Sequence, residues 1–361
     1  MTSERTKIGI IGAGRVGVDW HLPDIRTAGG EVTALADVVP GRAARLAADR
    51  GVPLAFDDYR ALLALDEIDA VAICTPPVNH EEIAVAALRA GKHVYLEKPP
   101  AMNAAEMARI TKVARQADRL LMSGSNSVYY NEMQALKRAI DAGELGNIYY
   151  VEALKAIRRN YKKGWHRRRD IAGGGVTMDS SAHRLDLVLY LLGTPRVLSV
   201  TARTYDHFAN RPLPVAAPVG YQLMDVEEGL ADMSTQSDIE DTLIAFIQFE
   251  GGCTLVLRDM SNANIAADWS LRLAGTKGGA SLLPLRFFGE TSDGLPTETI
   301  PEVPANPEGS HVPIYRHLLS CIRDGCETQS PGERGVVLMR IVDAIYASAT
   351  RGGRQIVLDQ T

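Results

Sequence analysis

Six residues near the start of the chain have the types and spacing to hold a dinucleotide. Gly12-Ala13-Gly14-Arg15-Val16-Gly17 follows the apolar run Ile8 to Ile11 as G-x-G-x-x-G and precedes a helix-like stretch. The first glycine suits a tight turn, the second lets backbone approach a pyrophosphate, and the third lets helix pack closely on strand. The helix start adds N–H groups and a positive dipole end. Asp37 ends the next strand-like run. A carboxylate there accepts hydrogen bonds from ribose hydroxyls and repels a 2′-phosphate, so NAD is expected ahead of NADP. Arg42 would blunt that repulsion if it folded back; the preferred reading leaves it facing solvent on the following helix. Thr75 and Pro76 close a further apolar run, at the kind of strand end where open α/β sheets bind ligands. Asn79 or His80 is expected to cap the helix after it, with His80 a capping or packing histidine rather than a catalyst.

A second group could move protons. Asp179 and His183 stand four apart, which a helix places on one face. An imidazole is the usual proton acceptor near neutral pH, and a carboxylate beside it can orient the ring or bind a neighbouring hydroxyl. Asp186, three residues on, reads equally as a supporting group or a helix-surface carboxylate. Lys98 follows a strand end, where its charge would stabilise alkoxide character.

These residues need a scaffold. Through residue 123, β-branched runs alternate with Ala-rich amphipathic stretches, which predicts a parallel α/β sheet. Beyond it the pattern changes to longer alternating runs, among them Val197 to Thr204 and Thr242 to Phe249, and to helices over Ile314 to Arg323 and Gly335 to Thr350. The fold class is therefore α/β: a Rossmann domain over 1–123, then an α+β domain over 124–361 with a mainly antiparallel, open-faced sheet. The Pro-rich segments Arg211 to Val219 and Leu295 to Pro307 are expected to be loops.

At HVYLEKPPA the pattern becomes specific. The glycine motif, Thr75-Pro76 with Asn79-His80, Glu97-Lys98-Pro99 and GGGVTMDSSAHRLD together resemble the Gfo/Idh/MocA family. That resemblance implies that Thr75, Pro76, Asn79, His80, Glu97, Lys98 and Asn126 lie at the cofactor and that the Lys98–Pro99 peptide is cis. It also implies that the basic segment KAIRRNYKKGWHRRR borders a substrate, with Tyr161 and Trp165 able to stack on a sugar, and that subunits associate through the open sheet face as a dimer or tetramer. Two departures stand out: Ser181 occupies a position often held by Gly, and Val128 one often held by Arg. The expected chemistry is oxidation of a hydroxyl, or the reverse reduction, on a sugar, cyclitol or derivative. His183 takes the proton, Lys98 steadies the oxygen and Asp179 positions the adjacent hydroxyl. The alternative is a redox-neutral glycoside-cleaving enzyme that keeps its NAD and works through a transient 3-keto sugar.

Composition narrows the remainder. A net charge of −5 over 361 residues gives no basic field for nucleic acid. No apolar run reaches the ~18 residues of a membrane span. Four scattered cysteines, Cys74, Cys253, Cys321 and Cys326, predict neither a disulfide framework nor a metal centre. A cytoplasmic location is the matching expectation. Eight Lys or Arg between Lys155 and Arg169 allow an anionic substrate, or an interface with the acidic stretch Asp225 to Asp241 of another subunit.

Overall fold

A computed structural model describes residues 5–158, 164–208, 236–306 and 310–358. Tyr161, Arg211 to Val219 and most of the acidic stretch lie outside these residues. The chain divides into two compact units. Residues up to 129 together with 310–339 make the first, and the remaining described residues make the second. The first unit thus takes in a C-terminal segment that the expected boundary at 123 assigned elsewhere.

The first unit carries a six-stranded sheet whose pairings are all parallel. Its strands are β1 (Lys7–Ile11), β2 (Glu31–Ala36), β3 (Leu54–Phe56), β4 (Ala70–Ile73), β5 (His93–Leu96) and β6 (Leu121–Ser123), in spatial order β3-β2-β1-β4-β5-β6. The order reverses between β1 and β4, the switch point at which such sheets bind ligands. Helices α1 (Leu22–Ala28), α2 (Arg42–Arg50), α3 (Tyr59–Leu63), α4 (His80–Arg89) and α5 (Ala104–Ala117) make the crossovers. Strands buried on both faces explain the unbroken apolar runs: Ile8, Ile10, Val71, Ala72, Ile73, Val94 and Leu96 have no exposed surface.

The second unit contains α6 (Asn131–Asp141), β7 (Ile148–Ala156), α7 (Arg169–Ala172), α8 (Ala182–Leu192), β8 (Val197–Tyr205), β9 (Thr242–Phe249), β10 (Thr254–Met260), β11 (Asp268–Gly275), β12 (Gly279–Ser281), β13 (Arg286–Glu290) and β14 (Pro296–Thr299). Helix α9 (Val312–Asp324) returns to the first unit, α10 (Gly332–Thr350) supplies residues to both, and β15 (Ile356–Val357) ends the second. The nine strands form one sheet, antiparallel except for the β7–β10 pair. Alternation along β9 buries Leu243, Ala245 and Ile247 and exposes Ile244 and Phe246, the open face expected. The expected loop over Leu295 to Pro307 is corrected in part. Pro296–Thr299 is an edge strand paired with β13, where a first-position proline costs no ladder bond.

Candidate functional site

The glycine loop is built as its spacing requires. Gly12 has φ +97, and a Cβ there would lie 2.7 Å from the carbonyl carbon of Cys74. A Cβ on Gly17 would sit 2.3 Å from the carbonyl oxygen of Gly12. Larger residues would therefore push the turn off the end of β4. The helix that follows opens with a π-helical segment over Val16–His21 before continuing as α1. Arg15, ahead of it, is exposed and lies over the Trp20 ring.

Asp37 closes this loop. Its Oδ2 accepts from the Ala13 N–H at 2.9 Å and its Oδ1 from the Val39 N–H at 2.9 Å. The preferred reading of Arg42 is corrected. Arg42 is buried, with Nη1 3.6 Å from Asp37 Oδ1. Burial of the carboxylate demands a nearby positive charge, which a solvent-facing arginine would not supply.

His80 and Asn79 do not cap α4 with their side chains. Asn79 is exposed and makes no side-chain cap bond. His80 is buried, its Nε2 2.8 Å from the Thr75 carbonyl oxygen and its Nδ1 3.0 Å from that of Pro99. The ring ties the β4 loop to the loop carrying Lys98, so it holds the two segments together. Burial lowers its pKa, against the opposing pull of the Thr75 carbonyl and Glu97. Thr75 Oγ1 is buried and has no hydrogen-bond partner among the described residues.

Behind Lys98 lies a polar network that sequence reasoning did not foresee. Glu97 Oε1 accepts from Tyr95 OH at 3.0 Å and from His21 Nε2 at 3.0 Å, while Oε2 accepts from the Lys98 N–H at 3.0 Å. His21 Nδ1 then accepts from Tyr315 OH at 2.7 Å, which leaves the neutral ring satisfied at both nitrogens. Burial alone would raise the Glu97 carboxyl, but His21, His311 and Lys98 more than offset it and hold it well below the usual range. Burial lowers the pKa of His21. His21, Glu97 and His311 come within ligating distance of one another, yet the commitments of His21 identify the cluster as a hydrogen-bond network that fixes the Lys98 backbone. The Lys98–Pro99 peptide is cis, and Lys98 is half-buried. Asn126 directs its amide Nδ2 to the Ser310 carbonyl oxygen at 3.1 Å, and Val128 is fully buried.

In the second unit the Asp179/His183 pair sits at a break in helical geometry. Thr177–Ser181 is π-helical and Ala182–Leu192 is α, so the pair spans a junction rather than one regular turn. Such π-segments recur at functional sites. The preceding glycines are fixed by packing: a Cβ on Gly174 would lie 1.8 Å from Tyr346 OH, and one on Gly175 1.8 Å from the Glu240 carbonyl oxygen. From Thr177 to Leu189 every residue is buried except Asp179 and His183, which are half-buried. Asp186 is 2% exposed, which removes the helix-surface reading of that carboxylate.

Beneath this segment lies a buried ion pair. Arg184 Nη1 stands 2.6 Å from Asp259 Oδ2, and it also donates to the Ser180 carbonyl oxygen at 2.6 Å. Ser181 Oγ donates to the same Asp259 oxygen at 3.1 Å, so the residue that departs from the family pattern has a partner. Burial raises the Asp259 carboxyl and lowers the Arg184 guanidinium, each against the pull of the other. Lys155 Nζ donates to Ser180 Oγ at 2.7 Å. Trp269 pairs directly with Lys155 across β11 and β7, which puts both on one sheet face. Trp269 is 39% exposed. An aromatic left open in a strand whose neighbour Lys155 bonds Ser180 is a signal that sequence alone does not rank.

Two arginines of the basic segment are paired within the chain. Arg169 pairs with Glu240 at 2.9 Å, and its N–H donates to Asp238 at 2.7 Å. Arg168 pairs with Asp170 at 2.6 Å. Trp165 stacks on His166 with ring centroids 3.7 Å apart.

These features define a nicotinamide-nucleotide oxidoreductase of two-unit architecture, and the comparisons agree. Residues 6–125 match the family model described as oxidoreductase family, NAD-binding Rossmann fold, and residues 137–357 match that family's C-terminal alpha/beta domain. The chain belongs to the Gfo/Idh/MocA family. It is 30% identical to the D-glucoside 3-dehydrogenase of Escherichia coli over 98% of each chain. It is 26% identical to the 1,5-anhydro-D-fructose reductase of Ensifer adhaerens over 95% of this chain and 96% of that one. Among solved structures, a levoglucosan dehydrogenase in complex with NADH and levoglucosan shares the fold with a TM-score of 0.83, covering 99% of this chain and all of that one at 21% identity. Among the described residues no helix is long and apolar enough to cross a membrane.

Proposed function

We propose that the protein is an NAD-dependent dehydrogenase acting on a hydroxyl or keto group of a sugar, cyclitol or sugar derivative. The observation that carries this reading is the exposure pattern of Thr177 to Leu189, in which only Asp179 and His183 are not buried. A helix that merely packs would not single out an acid and an imidazole. The dinucleotide supplies a hydride acceptor when bound. Gly12 to Gly17 would cradle its pyrophosphate and Asp37 its ribose hydroxyls. His183 takes the hydroxyl proton, the Lys98 charge steadies the oxygen, and Asp179 orients the neighbouring hydroxyl. Trp165 and Trp269 offer apolar faces for the C–H side of a sugar ring, and the sugar-directed names of the full-length relatives support that class of substrate. A cytoplasmic setting and a homo-oligomer belong to the same proposal. The exposed Ile244 and Phe246 on the open sheet face support the latter.

The test is to incubate the protein with NAD and a panel of polyols, aldoses, uronates, glucosides and anhydrosugars while following NADH absorbance. Stoichiometric NADH release with at least one sugar is expected. Cleavage of a glucoside without net NADH would replace this reading with redox-neutral chemistry.

A further inference from the structure

The cysteines are not all scattered in space. Cys321 lies in the last turns of α9, which ends at a left-handed Gly325 (φ 68) whose N–H donates to the Cys321 carbonyl oxygen. That reversal brings Cys326 back onto the helix and sets the two Sγ atoms 2.7 Å apart. The spacing is shorter than a non-bonded contact between sulfurs and only a small displacement from the about 2.0 Å of a disulfide. Cys321 is buried and Cys326 is exposed.

We propose that Cys321 and Cys326 are a reversible disulfide site, oxidised by exchange with a low-molecular-weight disulfide such as oxidised glutathione. The exposed Cys326 thiolate attacks one sulfur of the small disulfide, forming a mixed disulfide and releasing one small thiol. Cys321 then attacks the Cys326 sulfur, closing the intramolecular bond and releasing the second small thiol. Two protein thiols are oxidised, one small disulfide is reduced, and the two protons leave on the released thiols. Accessibility sets this order, and burial reinforces it by pushing the Cys321 thiol up to about 12, so that Cys321 acts only once its target is adjacent.

His317, one turn earlier in α9, has Nε2 3.4 Å from Cys321 Sγ, and the three side chains could together be taken for a metal site. The same Nε2 accepts the Gln329 N–H at 3.0 Å. Its lone pair is therefore already directed at backbone, and the close sulfur pair is what remains to be explained.

The site closes the base of a segment that touches the sheet edge. Ser330, four residues past Cys326, accepts the Ser123 N–H at 3.0 Å through its carbonyl and Tyr129 OH at 2.9 Å through its Oγ. The Tyr129 ring lies against His317 with centroids 5.4 Å apart. A covalent link at 321–326 would fix this clasp at the end of β6.

The test uses the full-length protein, reduced and then exposed to excess oxidised glutathione at neutral pH, with alkylation under denaturing conditions and peptide mass mapping. Wild type is expected to lose the Cys321 and Cys326 thiols together, with no retained glutathione, and to recover both in dithiothreitol. Its oxidised form should melt a few degrees higher than the reduced form. Cys321→Ser should instead hold one glutathione on Cys326, and Cys326→Ser should show no change at position 321. Full alkylation of both thiols in wild type, or a stable glutathione adduct on Cys326 in wild type, overturns the proposal. So does one equivalent of zinc in the isolated protein that is lost in Cys321→Ser.

Discussion

Removing one member of the Arg184–Asp259 pair should be far more damaging than removing both. At 2.6 Å and an effective dielectric constant of ~20, attraction between the two charges is about 6 kcal/mol. Withdrawing each ion from water costs several kcal/mol, so the intact pair comes out close to neutral. Two atoms sharpen that conclusion, since Asp259 Oδ1 and Arg184 Nε are buried with no partner among the described residues. Asp259→Ala strands the guanidinium, and Arg184→Met strands the carboxylate; each should lower unfolding free energy by ~3–5 kcal/mol. The double variant Arg184→Met/Asp259→Leu should recover most of that loss, giving a coupling well above ~1 kcal/mol in a urea double-mutant cycle. Recovery of stability should not restore function. Arg184 and Ser181 anchor the segment bearing Asp179 and His183, and a 1 Å shift there costs ~10²-fold in rate. A stable double variant with kcat near the wild-type value would refute the positioning argument. Single losses below ~1 kcal/mol would refute the electrostatic one.

Other outcomes follow from the same geometry. Lys98→Ala and His183→Ala should each cut kcat by ~10²-fold or more with little change in NAD affinity, and the double loss should be less than additive. The rising pH limb of kcat/KM should vanish in His183→Ala; its survival would place the base elsewhere. On the cofactor, kcat/KM should favour NAD over NADP by at least ~10-fold, and Arg42→Ala should widen the margin because the Asp37 charge loses its neighbour. Equal use of the two cofactors would make Arg42 a 2′-phosphate ligand instead. Stability should fall with acidification. His21 and His80 have folded pKa values below the reference 6.5, so the unfolded chain takes up protons first. Their contribution is complete above pH 6.5 and declines below it, by up to ~1.4 kcal/mol per pH unit for each proton. Glu97, held below 4.5, adds to the loss at lower pH still, and flat unfolding curves between pH 7 and 5 would contradict both assignments. Finally, Phe246→Glu on the open sheet face should reduce the mass measured by light scattering; an unchanged oligomer would move the interface elsewhere.

Much of the protein is legible in its sequence because the relevant forces are local. The glycine spacing specifies a turn whose φ and close approaches only glycine tolerates, and Gly12 and Gly17 have that geometry. Continuous apolar runs specify strands buried on both faces, and strict alternation along Thr242 to Phe249 specifies a sheet with one face open. The four-residue step from Asp179 to His183 was enough to nominate a shared face. Other features depend on what the chain brings up from far away. Burial of the Asp37 carboxylate draws Arg42 inward, although in sequence it reads as a surface residue at a helix start. Asp186 is buried and Asp179 is not, a distinction that helical period alone does not make. His80 spans carbonyls of Thr75 and Pro99, and Trp269 reaches Lys155 only through the register of β11 on β7. The spacing of Cys321 and Cys326 predicts no disulfide or metal pattern, yet a left-handed glycine between them folds one back onto the other. Sequence sets the local dihedral and polarity preferences; which polar side chains stay open and which are paired is decided by long-range packing, because desolvation depends on everything that surrounds a group.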